Sequence, residues 1–232
     1  MSIFGSKVYK MQQNNYNITL ICTAHTESGK CNSDELYKII ESVNPEVIFE
    51  EVSINLFDRF YNGNQLSDES LEVKCIKRYL QNHNIIHIPV DIEVSPNLAT
   101  SDIDYMFKTF KKYNVYKTLE NEQSLLSAQF GFAYLNSIKC SELFDKKKIT
   151  EKNLMQFDIN KNQLIHIYKL FHEEQYNREN EMLQNIYNYS KENKYTQAIF
   201  LIGSAHRNSV IRKVTEFETK ETLHLNWTFW ND

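Results

Sequence analysis

Apolar residues along this chain follow two alternating rhythms. Short, nearly continuous runs rich in β-branched residues occur at 18–23 (ITLICT), 46–52 (EVIFEEV) and 85–93 (IIHIPVDIE), lengths that suit buried strands. Between them the spacing changes. In SDELYKIIESV (33–43), Leu36, Ile39, Ile40 and Val43 recur at helical intervals, with Ser33 as the expected cap and Asn44-Pro45 as the stop. In SLEVKCIKRYLQNHN (70–84), Leu71, Cys75, Ile76, Tyr79 and Leu80 share one helical face. Strand, helix, strand, helix, strand predicts parallel strands joined by crossover helices, because parallel neighbours need a long connection.

From about 100 to 193 the strand signal disappears. Ile103, Met106, Phe107 and Phe110 begin a series of helix-period patterns that runs through LENEQSLLSAQFGFAYLNS (119–137). The last helix of the series is expected over roughly 160–193, with Leu164, Tyr168, Phe171, Met182 and Ile186 on one stripe. The α/β rhythm then resumes with a strand at 197–203 (QAIFLIG), a helix through 209–217 and a strand at 222–229. The expected fold is therefore α/β: a mostly parallel central sheet with flanking helices, and a helical insertion at about 97–193 before the fourth core strand. No linker rich in proline or glycine separates the insertion, so residues 1–232 are read as a single domain.

Composition narrows the function classes. A hydrophobic fraction of 41%, with 14 Tyr and 14 Phe, supplies a substantial core. A net charge of −4 and a pI near 6.0 give no broad positive field, which disfavours a nucleic-acid partner, and Lys146-Lys147-Lys148 is expected to be a solvated loop. Cys22, Cys31, Cys75 and Cys140 contain no C-x-x-C pair, which argues against a zinc ribbon and fits free thiols in a reducing compartment. No apolar run reaches the length of a membrane span, and the opening MSIFGSKVYKMQQNNYN lacks a secretory apolar segment. The expectation is a cytoplasmic protein with no membrane span.

In open parallel sheets, sites form beyond the carboxyl ends of the strands. The predicted strands carry His25, then Glu50 and Glu51, then Asp91 and Glu93, and finally, after Gly203, His206 at those ends. Adjacent in a strand, Glu50 and Glu51 point to opposite faces, and Glu51, nearer the loop, is the preferred site residue. Two chemistries fit this set. His25, Glu51 and His206 are normal ligands for a divalent ion such as zinc, manganese, cobalt or iron, which would activate water. Alternatively one histidine is a general base held in its tautomer by a carboxylate. Asp91 reads equally as a turn-stabilising residue. His83, His87, His166, His172 and His224 read as structural. Arg178 lies on the apolar stripe of the long helix; it either snorkels to water, pairs Glu174 or Glu181 at the surface, or reaches a site carboxylate or substrate oxyanion.

Together, ICTAHTESGKCNSDELYKIIESVNPEVIFEEV (21–52) and NRENEMLQNIYNYSKENKYTQAIFLIGSAH (177–206) resemble the TraB/Tiki family and its wider erythromycin-esterase-like and ChaN-like relatives. The likeness lies in a G-x-x-H motif, a strand-end Glu, an Arg-bearing helix and a second G-x-x-H, with Cys22 standing where the first motif has Gly. It implies His25, Glu51, Arg178 and His206 as catalytic residues, Glu50, Asp91 and Gly203 as substrate-binding residues, and His25, Glu51 and His206 as metal ligands. The implied activity is hydrolysis of an amide, peptide or ester bond in a small-molecule or peptide substrate, as in a metalloprotease-like or erythromycin-esterase-like enzyme. The alternative is a non-catalytic member that binds a ligand or peptide in the same cleft.

Overall fold

A computed structural model of the chain describes residues 16–63 and 69–231. The opening segment, expected to carry no secretory signal, lies almost wholly outside the described residues. Five strands, β1 (Tyr16–Thr23), β2 (Val47–Ser53), β3 (Ile86–Asp91), β4 (Gln197–Gly203) and β5 (Leu225–Phe229), form one sheet in the order β3-β2-β4-β1-β5. Every neighbouring pair is parallel. The helices are α1 (Ser33–Val43), α2 (Ile54–Tyr61), α3 (Leu71–Leu80), α4 (Thr100–Phe110), α5 (Asn114–Phe130), α6 (Phe132–Leu135), α7 (Ile138–Met155), α8 (Lys161–Glu192) and α9 (Arg207–Lys220). This is the α/β architecture expected, with the helical insertion entering before β4.

The strand alternation separates two cores. Ile18, Leu20, Cys22, Val47, Phe49, Phe200 and Ile202 face Met182, Leu183 and Ile186 of α8 and Val210 and Val214 of α9. Ile21, Ile48, Ile199 and Leu201 face α1, α3, α6 and the start of α7. A third cluster, Met106, Phe110, Tyr116, Met155, Leu164 and Ile167, forms within the helical insertion. At 32 residues α8 extends about 48 Å, so its first half packs in the insertion and its second half on the sheet. Arg178 and Glu179 fall at the junction of the two cores.

Several local expectations are corrected. The cap of α1 is Asn32, whose side chain accepts the Glu35 N–H at 3.0 Å, and Ser33 is the first helical residue. Lys146-Lys147-Lys148 lies inside α7 and is not a loop: Lys147 is buried, with Nζ paired to Glu120 and 2.9 Å from Gln123 Oε1, because α5 packs its polar side against α7. β3 stops at Asp91, leaving Glu93 beyond the strand. α2 follows β2 directly and buries none of its residues, so it leaves no core signature in the sequence. No helix among the described residues is long and apolar enough to cross a membrane.

Candidate active site

Strand order brings the two histidine motifs together. β4 lies between β1 and β2, with Thr23 in register beside Gly203, so the chain following β4 emerges next to the exits of both older strands. Gly203 ends β4 in ordinary extended backbone (φ −57°, ψ 136°), and a single 3-10 turn, Ser204–His206, delivers His206 to the start of α9. A Cβ placed on Gly203 would sit 3.4 Å from Glu51 Oε2, 3.8 Å from His206 Cδ2 and 3.9 Å from His25 Nε2. Those three side chains therefore converge on one point, which is open because residue 203 has no side chain. The Gly203 N–H donates to Glu51 Oε2 at 2.6 Å.

Glu51 lies on the α8 face of the sheet, opposite to Glu50, as strand alternation requires. Its Oε1 accepts from Arg178 Nη2 at 3.1 Å and lies 3.3 Å from His206 Nε2. Burial works against ionisation of Glu51, yet His206, the Gly203 N–H and Arg178 outweigh it and hold its pKa down to about 2. Burial likewise opposes a charged His206, but Glu179 Oε1, 2.7 Å from Nδ1, and Glu51 raise its pKa to about 9. His206 is thus an imidazolium clamped between two carboxylates.

Arg178 is 14% exposed in its side chain, so it neither snorkels nor joins a surface pair. Its guanidinium forks onto Asp91, reaches Glu51, and donates from Nη1 to Gln175 at 3.2 Å. Glu174 instead accepts the Ser95 N–H at 2.8 Å, and Glu181 is exposed. Besides pairing Arg178, Asp91 stabilises the turn after β3, since Oδ1 also accepts the Ile92 N–H at 2.8 Å. These groups form a buried chain of alternating charge, Asp91, Arg178, Glu51, His206, Glu179, ending near Lys213 at 3.6 Å.

His25 belongs to the other face. Its side chain is 67% exposed, and Nδ1 lies 3.3 Å from Glu72 Oε1 in the first turn of α3. That contact leads the forces raising the His25 pKa. Thr23 Oγ1 donates to the same Glu72 oxygen at 2.6 Å, and the Leu71 N–H donates to the His25 carbonyl at 3.0 Å, so α3 fixes the exit of β1. A cavity of about 240 Å³ lies here, lined by His25, Glu50, Glu51 and Glu72 and by apolar residues such as Phe60 and Ile76. Glu50 borders it, but its oxygens are engaged by His87 Nδ1 at 2.7 Å and Tyr61 Oη at 2.6 Å. Cys22, at the departure from the G-x-x-H pattern, buries its side chain in the α8 core, away from Gly203, while Asn136 brackets its backbone N–H and carbonyl at 2.7 and 2.9 Å.

Glu72 and Glu179 do not stand out as strand-end residues. A signal for Glu179 exists: it shares helical spacing with Met182, Leu183 and Ile186, and a carboxylate on a buried stripe needs a partner. Glu72 has no comparable mark, since an acidic residue in a first helical turn is ordinary.

No protein-family model matches the chain, and no curated protein matches it. Among solved structures, an erythromycin esterase mutant in its open conformation is similar over 81% of this chain and 60% of that chain, at 14% identity and a TM-score of 0.34. The chain thus spans less than two thirds of that protein's length, and a likeness of this degree assigns neither family nor activity.

Proposed function

We propose that this protein is a hydrolase of ester or amide bonds in a small-molecule or peptide substrate, with His25 as the general base. The observation that carries this reading is the convergence of His25 Nε2, Glu51 and His206 on the open face of Gly203. With Nδ1 turned to Glu72, His25 keeps its proton there and presents the Nε2 lone pair to a water molecule over Gly203. The water attacks the carbonyl carbon as its proton passes to Nε2; that proton then goes to the leaving oxygen or nitrogen. Arg178 is a positioning residue, because its donors are directed at Asp91, Glu51 and Gln175. His206, held between Glu51 and Glu179, is likewise a positioning residue, which fixes the Glu51 carboxylate beside the reaction point.

In the arrangement described, the side chains of this set are engaged with one another. His206 turns Nδ1 to Glu179 and Nε2 to Glu51, and Glu51 also accepts from Arg178 and the Gly203 N–H. Among the described residues no group of three or more His, Cys, Asp or Glu side chains is arranged to hold one. The reading therefore takes water activation by His25 alone. Its test is a panel of ester, amide and peptide substrates with wild type and His25→Gln, each with and without chelator. Turnover that survives chelation and is lost in His25→Gln supports it. Turnover abolished by chelation and restored by zinc, manganese or cobalt, or no turnover on any substrate, overturns it.

A further inference from the structure

A second concave region, about 810 Å³ in volume, lies between α7 and α8, away from His25. That size falls in the range of small-molecule sites, roughly 300–1,000 Å³. Its charge is one-sided: Lys148, Lys152 and Lys169 line it, and Glu173 is the one carboxylate in its wall. Glu173 is spent on Lys169 at 3.7 Å, while Lys148 and Lys152 form no ion pair among the described residues. Lys148 and Lys152 are one turn apart on α7, an arrangement that costs helix stability unless an anion lies between them. Two polar side chains whose polar ends are buried back the same wall. Tyr168, 8% exposed, turns Oη inward beside Glu151, and His172 has no hydrogen-bond partner at its buried Nε2. Burial, with Lys148 and Lys152 nearby, keeps His172 neutral, its pKa pushed down to about 4. Met155, Ile165 and the Tyr168 ring give the wall its apolar part, and Gln156, Tyr176 and Asn177 complete it.

We propose that the α7–α8 cleft binds a small amphipathic carboxylate, its anion met by Lys148, Lys152 and Lys169 and its apolar body covered by Met155, Ile165 and Tyr168. Lys148 and Lys152, which form no ion pair among the described residues, supply the charge beside Lys169, and the Tyr168 ring supplies a flat wall for the apolar body. The cleft shares Lys148, Tyr168 and His172 with a smaller cavity of about 150 Å³ whose wall includes Ala205, the residue before His206. The inference does not rest on the hydrolase reading and is tested without turnover.

Calorimetric titration of the full chain with decanoate, decanol and decyltrimethylammonium separates the terms. Decanoate is expected to bind with unit stoichiometry, decanol at least tenfold more weakly, and the cation not measurably. Lys148→Glu/Lys152→Glu, both at surface-accessible helix positions, should weaken decanoate at least tenfold with an unchanged circular dichroism spectrum, and Lys169→Ala, a milder change, should weaken it severalfold. The proposal is overturned if decanoate does not bind, if decanol or the cation binds as tightly, or if folded lysine variants retain wild-type affinity.

Discussion

Gly203→Ala tests the placement of the reaction point with the smallest available perturbation. At φ −57° and ψ 136° alanine fits the backbone without strain. The new methyl would stand 3.4, 3.8 and 3.9 Å from atoms of Glu51, His206 and His25, the first at the tight end of ordinary contact and none a clash. Replacing glycine at a compatible position stabilises by about 0.4–1 kcal/mol through the unfolded chain, and tight contact with the Glu51 oxygen offsets part of that. Net stability should change by less than about 1 kcal/mol, a Tm shift of no more than about 4 °C for a chain of this size. The same methyl fills the point where the three side chains meet and leaves no room there for the roughly 10–15 Å³ that a water centre needs. Loss of the attacking water should lower kcat/KM at least about 100-fold, near 2.7 kcal/mol of activation free energy. Thermal unfolding and hydrolysis of a substrate from the panel are measured side by side. A well-folded variant with near-wild-type turnover would refute the site, and a variant that unfolds would refute the geometry beneath it.

Two further outcomes follow from the charge chain and one from the Glu72–His25 pair. The folded-state pKa of His206, about 9, lies above its ordinary 6.5, so the stability it contributes is fully present below pH 6.5 and is lost as pH rises through 9. The loss is at most about 3 kcal/mol and should appear in urea denaturation between about pH 6 and pH 10 but shrink in His206→Gln; identical pH dependence in the two proteins would contradict the clamp. Arg178→Met leaves Asp91 buried without a cation and Glu51 with His206 alone, and should cost about 3–5 kcal/mol by denaturant unfolding, with Arg178→Lys recovering only part because an ammonium cannot fork onto Asp91; a cost below about 1 kcal/mol would show that the pairing is not made. Glu72→Gln removes the leading force that raises the His25 pKa, so the acidic limb of the pH–rate profile should move to lower pH, and an unmoved limb would mean that another group is the base.

Which parts of this were readable along the chain depends on the range of the interactions involved. The apolar runs at 18–23, 46–52, 85–93 and 197–203 became strands, and the long stripe from Leu164 to Ile186 became α8, because burial on one or both faces writes a short-range period. The polar residues that closed those runs were legible for the same reason: His25, Glu51, Asp91 and His206 interrupt apolar patterns where a strand ends. Where the pattern was silent, prediction erred or stopped. Lys147 reads as solvated until Glu120 and Gln123 arrive from α5, and α2 buries nothing.

Linear order therefore established the elements, their parallel character and the residues at their carboxyl ends. It left open how the strands sit side by side, because pairing β4 between β1 and β2 joins segments some 150 to 180 residues apart, which no local period records. That placement brought two distant histidines together over Gly203, turned Arg178 into the bridge between Glu51 and Asp91, and supplied Glu72 and Glu179 as partners. Charge state came with it, since the pKa of His206 or Glu51 depends on what lies a few ångströms away after folding, and sequence neighbours carry no such information.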